Sequence, residues 1–300
     1  MNKDTFSGYH PLINFLYFAL VLLYSMFFMH PISLAISLFG AIAYALYLRG
    51  RRAMRLLLRF TFPMMLIAAV VNPAFNHEGI TILTYLPSGN PLTLESILYG
   101  LSAAVMIAAV MTWFSCYNAV MTSDKFVYLF GRIIPALSLV LSMTLRFVPR
   151  FTAQMHTVSE AQRCIGRDIS NGTLRQRTKH ALTILSILIT WALENAIETA
   201  DSMKSRGYGL PGRTAFSIYR FDDRDRAALW WLGFCGFYIT AGWMAGGLQW
   251  QYYPVIKGTL WGIFPVSFQI VYLALCMTPV IVNLTAGRVW RKQYEKEELS

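Results

Sequence analysis

Apolar residues in this chain come in long, nearly unbroken runs set apart by short polar stretches. The runs cover Leu12 to Met29, Ile32 to Leu48, Leu57 to Val71, Leu94 to Met121, Ala227 to Gly246 and Leu260 to Leu284. Crossing a hydrocarbon layer about 30 Å thick takes roughly 20 predominantly apolar residues, so the pattern predicts about six transmembrane helices, the second and third short. Between the fourth and fifth runs the rhythm changes. "TSDKFVYLFGRIIP" opens on a cap signal at Thr122 or Ser123, with Asp124 in the first turn, and sets Phe126, Val127, Phe130 and Ile133 along one side. It predicts a short amphipathic helix ended by Pro135. From Ala136 the chain is apolar nearly all round and then increasingly charged, which predicts a helix buried in its first half, bent at Pro149 and emergent in its second. Roughly Leu174 to Ser205 reads as a further amphipathic helix, with Glu194, Glu198 and Asp201 on one face and Ile187, Leu188, Trp191 and Ala192 on an apolar side.

The expected architecture is therefore an all-α integral membrane protein in four parts. Residues 1–121 hold about four spans, 122–226 form a cytoplasmic region of two to three long amphipathic helices, 227–286 hold two more spans, and 287–300 are a tail. Reading Ile133 to Val148 as a seventh span is disfavoured, because its sixteen residues are bounded by Arg132, Arg146 and Arg150, and one crossing would carry the basic block that follows to the far side. Met1 to His10 lack the basic region of a cleavable signal, so the first helix is expected to stay in the membrane.

Composition agrees: 56% of residues are hydrophobic and 14% charged. The net charge of +11 is distributed, and its distribution is the informative part. Arg49, Arg51, Arg52, Arg55 and Arg59 crowd one short link, fifteen Lys and Arg lie between Thr122 and Arg226, and four more lie beyond Gly287. Asn72 to Thr93 and Gly247 to Thr259 together hold only Lys257. Lys and Arg accumulate on the cytoplasmic side of membrane proteins, which places both termini in the cytoplasm of a multi-pass protein. The cations bound apolar spans, so anionic membrane lipids rather than nucleic acid are the expected counter-charge.

Little in the chain suggests bond-making chemistry. Cys116, Cys164, Cys235 and Cys276 are far apart and read as apolar fillers, without the spacing of a zinc site or disulfide framework. "NHEG" at Asn76 to Gly79 lacks the second histidine of a metalloprotease helix, and no phosphate-binding glycine loop or nucleophile elbow occurs, so no metal or catalytic residue is expected. Any nucleotide energy must come from another chain. The alternative reading is a membrane enzyme whose basic cytoplasmic face holds an anionic lipid, with Glu160, Asp168, Glu194, Glu198 and Asp201 as its available acids. A channel or self-sufficient transporter would need ionisable groups within its spans, and these are nearly free of them.

The segment "MKSRGYGLPGR" asks for a specific explanation: a helix ends on Arg206 and is released by Gly207. Together with "NPAFNHEG", "TLESILYGL", "TSDKFVYLFGRIIPALSLVLSMTLRFVPRF" and "EAQRCIGRD", in this order and spacing, it resembles the transmembrane T component of energy-coupling-factor ABC transporters for vitamins and metals. The resemblance implies two long coupling helices, each ending in a short X-Arg-X motif that docks in a groove of one of two ATP-hydrolysing subunits, with ATP bound by those partners. It implies a third partner, a substrate-binding S component, and a prokaryotic cell membrane. Ser205, Arg206 and Gly207 match the second motif. The first aligns on Cys164, Ile165 and Gly166, where isoleucine stands in place of the arginine. Arg163 and Arg167, four apart and expected on one helical face, flank it and are candidates for the missing charge. Ala136, Ser138, Ser142 and Thr144 are the small residues expected to meet the S component. "HPLINF" near the N-terminus replaces an Asp-Pro-Arg-x-Lys pattern frequent in the family, so those charged contacts are missing.

Overall fold

The computed structural model describes residues 4–85, 91–131, 135–168, 170, 172–210, 219–258 and 262–298, with side chains omitted at 135–138 and 288–298. The helices, in order, are α1 (Pro11–Phe27), α2 (Pro31–Arg49), α3 (Arg51–Leu56), α4 (Phe62–Phe75), α5 (Leu94–Val120), α6 (Ser123–Gly131), α7 (Pro135–Cys164), α8 (Leu174–Ser205), α9 (Asp223–Met244) and α10 (Ile263–Glu298). A π turn, Leu57–Thr61, joins α3 to α4 in one rod, Arg51–Phe75. The only strands among the described residues, β1 (Ile82–Tyr85) and β2 (Pro91–Thr93), form a small antiparallel ladder before α5.

Six helices are long and apolar enough to cross a membrane: α2, the Arg51–Phe75 rod, α5, α8, α9 and Ile263–Gly287 of α10. The number matches the expectation, but the membership differs. Helix α1, expected as a span, has 17 residues and at 1.5 Å per residue reaches only about 26 Å. Helix α8, expected as amphipathic, qualifies on length and hydropathy. The third span is not short: it begins within the arginine link, so Arg51, Arg52, Arg55 and Arg59 sit on the helix itself.

The chain divides into two compact units, residues 1–122 with 219–300, and residues 123–218. In the first, α1 lies at the centre of a core built on Ile13, Tyr17, Phe18, Val21, Tyr44, Trp113, Leu232, Tyr272 and Cys276. Helices α2 and α10 approach closely because Gly40 has no side chain: a Cβ there would come within 2.8 Å of Cys276 Cβ. Inside this core Ser25 bonds Ser37 and Tyr272, and the Trp113 indole N–H donates to Ser37. Cys116, Cys235 and Cys276 are buried fillers. Cys164, also read as a filler, is exposed, because the core of its unit lies on another side of its helix.

Two local features of this unit were illegible in the sequence. "HPLINF" does not leave a gap where charges are lacking: the His10 ring accepts from the Leu12 N–H to cap α1, and the His10 N–H donates to Asp225, the buried carboxylate that also accepts from Asp222 N–H to cap α9. "NHEG" forms a turn in which Asn76 Oδ1 accepts from the Glu78 N–H and the Glu78 carbonyl accepts from Thr93. The buried Glu95 carboxylate then accepts from the backbone and hydroxyl of Thr81, stitching β1 to α5.

Candidate functional site

The second unit is dominated by an antiparallel pair of long helices, α7 and α8. Phe151 meets Trp191 edge to face with ring centres 5.5 Å apart, and Val158 packs with Ile184 and Leu188 as a small buried cluster. On α8 these contacts use the side carrying Ile184, Leu188, Trp191 and Asn195, as a period of 3.6 residues requires. The acidic row of Glu194, Glu198 and Asp201 lies beside it.

The opposite side of α8 carries Leu182, Leu185, Ile189, Leu193 and Ile197, a stripe 16 residues long that is exposed among the described residues; Leu193 and Ile197 are 62% and 65% exposed. The sequence reading missed this second apolar side. Its signal was available in the spacing of these five residues, but one apolar side had already been assigned. The first half of α7, expected to be buried, is also open within the chain, since Val140, Leu145 and Val148 are exposed. Helix α7 runs on through Pro149 without a break in its assignment.

Both helices end in the same way. At the end of α8, Gly207 has φ +76°, its N–H donates to the Lys204 carbonyl at 2.9 Å, and the Tyr208 N–H donates to the Met203 carbonyl at 3.0 Å. At the end of α7, Gly166 has φ +80°, its N–H donates to the Arg163 carbonyl at 3.0 Å, and the Arg167 N–H donates to the Gln162 carbonyl at 2.9 Å. This is the doubled return bond that a left-handed glycine makes when it closes a helix. The residue before each glycine is the helix cap, so Ile165 and Arg206 occupy equivalent positions, with Cys164 equivalent to Ser205.

The flanking cations do not behave as the spacing suggested. The helix stops at Cys164, so Arg167 lies beyond the glycine and shares no helical face with Arg163. Arg163 Nε sits 3.3 Å from an Asp168 oxygen, while Arg167 is exposed. Of the four small residues, Ala136 and Ser138 have side chains outside the described residues. Ser142 and Thr144 are exposed, but two positions apart on a helix they project from nearly opposite sides. The Thr144 hydroxyl donates to the Val140 carbonyl.

Because α7 and α8 are antiparallel, their C-terminal ends point apart. Extending the pairing of Phe151 with Trp191 at 1.5 Å per residue sets the Gly166 turn beside the first turns of α8 and Arg206 beside the start of α7, roughly 40 Å away. Near Arg206 a cavity of about 470 Å³ opens between the helices, lined from α7 by Met143, Arg146, Phe147 and Arg150 and from α8 by Asn195, Glu198, Thr199, Ser202, Met203 and Arg206.

A family described as CbiQ, cobalt transport protein, matches residues 8–216. Curated relatives include three described as energy-coupling factor transporter transmembrane protein EcfT. The protein of Lactobacillus helveticus is 37% identical over 94 residues, 31% of this chain and 34% of its own length. That of Lacticaseibacillus paracasei is 38% identical over 93 residues, again 31% of this chain and 35% of its own. That of Bacillus subtilis is 31% identical over 94 residues, 31% and 36% of the two chains. The chain thus spans about a third of the length of the curated relatives it matches.

Proposed function

Given that the chain belongs to the CbiQ family and is an EcfT-like transmembrane T component of an energy-coupling-factor transporter, we propose that it couples ATP hydrolysis by two partner subunits to substrate uptake through a separate substrate-binding S component. In this reading the chain catalyses nothing and holds no cofactor; ATP is bound by the partners, and the transported vitamin, metal ion or other micronutrient by the S component.

The observation that carries the reading is the pair of matched helix ends. Two ATPase subunits that approach and separate need two attachment points held well apart, and the paired helices α7 and α8 offer two glycine-closed ends roughly 40 Å apart. Arg206 is the contact at the second end, where its planar guanidinium suits bidentate bonding to a partner carboxylate. At the first end Cys164, Ile165 and Gly166 dock with charge supplied by Arg163 or Arg167. The uncovered stripe from Leu182 to Ile197 and the first half of α7, with Ala136, Ser138, Ser142 and Thr144, supply the surface on which the S component moves. Such motion does work only if the partners contact the hairpin differently in their open and closed states.

Charge supports a cell-membrane orientation with both termini and the hairpin in the cytoplasm. With α1, α2, the Arg51–Phe75 rod, α5, α9 and α10 crossing, every basic segment falls on one side. If α8 crossed as well, Arg220, Arg224, Arg226 and the tail cations would lie opposite the arginine link. Cysteine introduced at Thr84 is expected to label from outside intact cells and cysteine at Gly172 is not; the reverse pattern would overturn the orientation.

Function is tested by reconstituting the T component with its co-expressed ATPase pair and S component, then measuring substrate-dependent ATP hydrolysis. Arg206→Ala should insert normally and lose coupling, with Arg206→Lys recovering part of it. Full coupling in the alanine variant would reduce Arg206 to a helix end.

A further inference from the structure

We propose that Arg146 and Arg150 of α7 dock the ATPase together with Arg206, so that the second attachment point is a three-arginine pocket built by both helices. This rests on the reading of Arg206 as a docking residue and extends it to a different helix. All three side chains line the one cavity of about 470 Å³, and the only carboxylate in its lining is Glu198. Among the described residues no carboxylate, Glu198 included, lies within 4.0 Å of any of the three guanidinium groups, although Arg163 and Asp168 of the same unit close to 3.3 Å. Three cations therefore face one anion across a cavity, without an ion-pair partner for any of them among the described residues. Like charges held in one pocket repel, and an entering anion relieves that repulsion.

Arg146 and Arg150 are one turn apart on α7, and Arg206 arrives from the antiparallel partner, so the cations approach the cavity from two sides. This arrangement suits a planar acceptor gripped from both flanks. The remaining walls favour a carboxylate carried by a protein segment over a bare inorganic anion. Met143, Phe147 and Met203 offer adaptable apolar contact beside the arginines, and Met, aromatic residues and Arg are the types enriched where proteins meet. The predicted ligand is thus an acidic side chain, Asp or Glu, flanked by apolar residues on the ATPase surface. Glu198 is the one lining group that would repel it, so the pocket is tuned below its full attraction.

The test uses the full chain in lipid nanodiscs with its co-expressed ATPase pair, reading the affinity of that pair at low and high salt. Arg146→Met and Arg150→Met keep the apolar stem and remove the charge. Each is expected to weaken ATPase binding at least about fivefold at low salt and less at high salt. Arg150→Lys should recover part of the loss, and Glu198→Gln should tighten binding. If Arg206→Ala weakens binding while both methionine variants bind as wild type, the three-arginine pocket is wrong and the Arg206 reading stands. If none of the three variants alters affinity, both fail. If the methionine variants retain ATPase affinity but lose co-purifying phosphatidylglycerol, the pocket is a lipid phosphate site and the proposal is overturned.

Discussion

The end of α7 and the end of α8 share a backbone and differ in chemistry. Each closes on a left-handed glycine with the same two return bonds, yet the cap residue is Ile165 in one and Arg206 in the other. The shared part is set by glycine and helix geometry, which any cap residue tolerates. The differing part is what a partner would feel: 65% of Ile165 is exposed and apolar, whereas Arg206 borders a cavity with two further arginines. At the α7 end the nearer cation, Arg163, is already turned toward Asp168. Under the docking proposal the two ends are equivalent in shape and unequal in electrostatics, which would let two different ATPase subunits tell them apart.

The sharpest way to break the contrast is Arg206→Ile, which makes the second end resemble the first. If a buried charged contact is lost, docking should weaken by about 2 to 5 kcal/mol, read as loss of co-purifying ATPase and of coupled hydrolysis at normal membrane levels. A variant that still couples would show that the cap residue carries no partner contact. Next in size, Arg163→Ala with Arg167→Ala should weaken the first attachment by roughly 1 kcal/mol, because both groups are exposed and screened. Ile165→Ala should then change little, and the opposite ranking would show that this end docks through apolar contact.

The shared backbone is tested separately. Alanine at Gly166 or Gly207 meets a left-handed conformation costing about 1 kcal/mol. A Cβ at Gly207 would also press on Leu210 Cδ1 at 3.1 Å, while one at Gly166 meets open space. Hydrogen exchange of the last turn should therefore rise in both variants and more in Gly207→Ala; equal responses would remove Leu210 from the account. The smallest effect belongs to Asp168→Asn, which releases Arg163 from a pair whose arginine is solvent-exposed and screened, worth about 0.5 kcal/mol or less. It should leave stability unchanged and slightly favour the first attachment, and a measurable loss of stability would show that the Asp168 carboxylate, which also accepts from the Ser170 N–H and hydroxyl, holds the turn together.

Much of this was legible in the chain. The apolar runs gave the membrane class, and the limits of α8 fall at Leu174 and Ser205, the range its amphipathic pattern indicates. Single-helix patterns, however, cannot state which residues of two helices lie opposite one another. That is why Arg206 was identifiable alone while its neighbours Arg146 and Arg150, some sixty positions earlier, were not. The same limit hid the Asp225 bond that ties α1 to α9, since it joins residues 215 positions apart. Arg163 and Arg167 misled for a different reason: four-residue spacing implies a common face only while the helix continues, and Gly166 ends it.

The fastening of the hairpin has a mechanical meaning. Among its described residues the buried apolar cluster is Val158, Ile184 and Leu188, with the Phe151 and Trp191 rings beside them, far smaller than the aromatic core of the first unit. Two helices some 45 Å long, riveted over a short middle stretch, would behave like the blades of scissors. A squeeze applied at the two far ends turns each rod about the rivet. The swing is then largest at the tips and least at the joint itself, so a motion begun at one end of the hairpin would reappear at the other instead of being absorbed in a core.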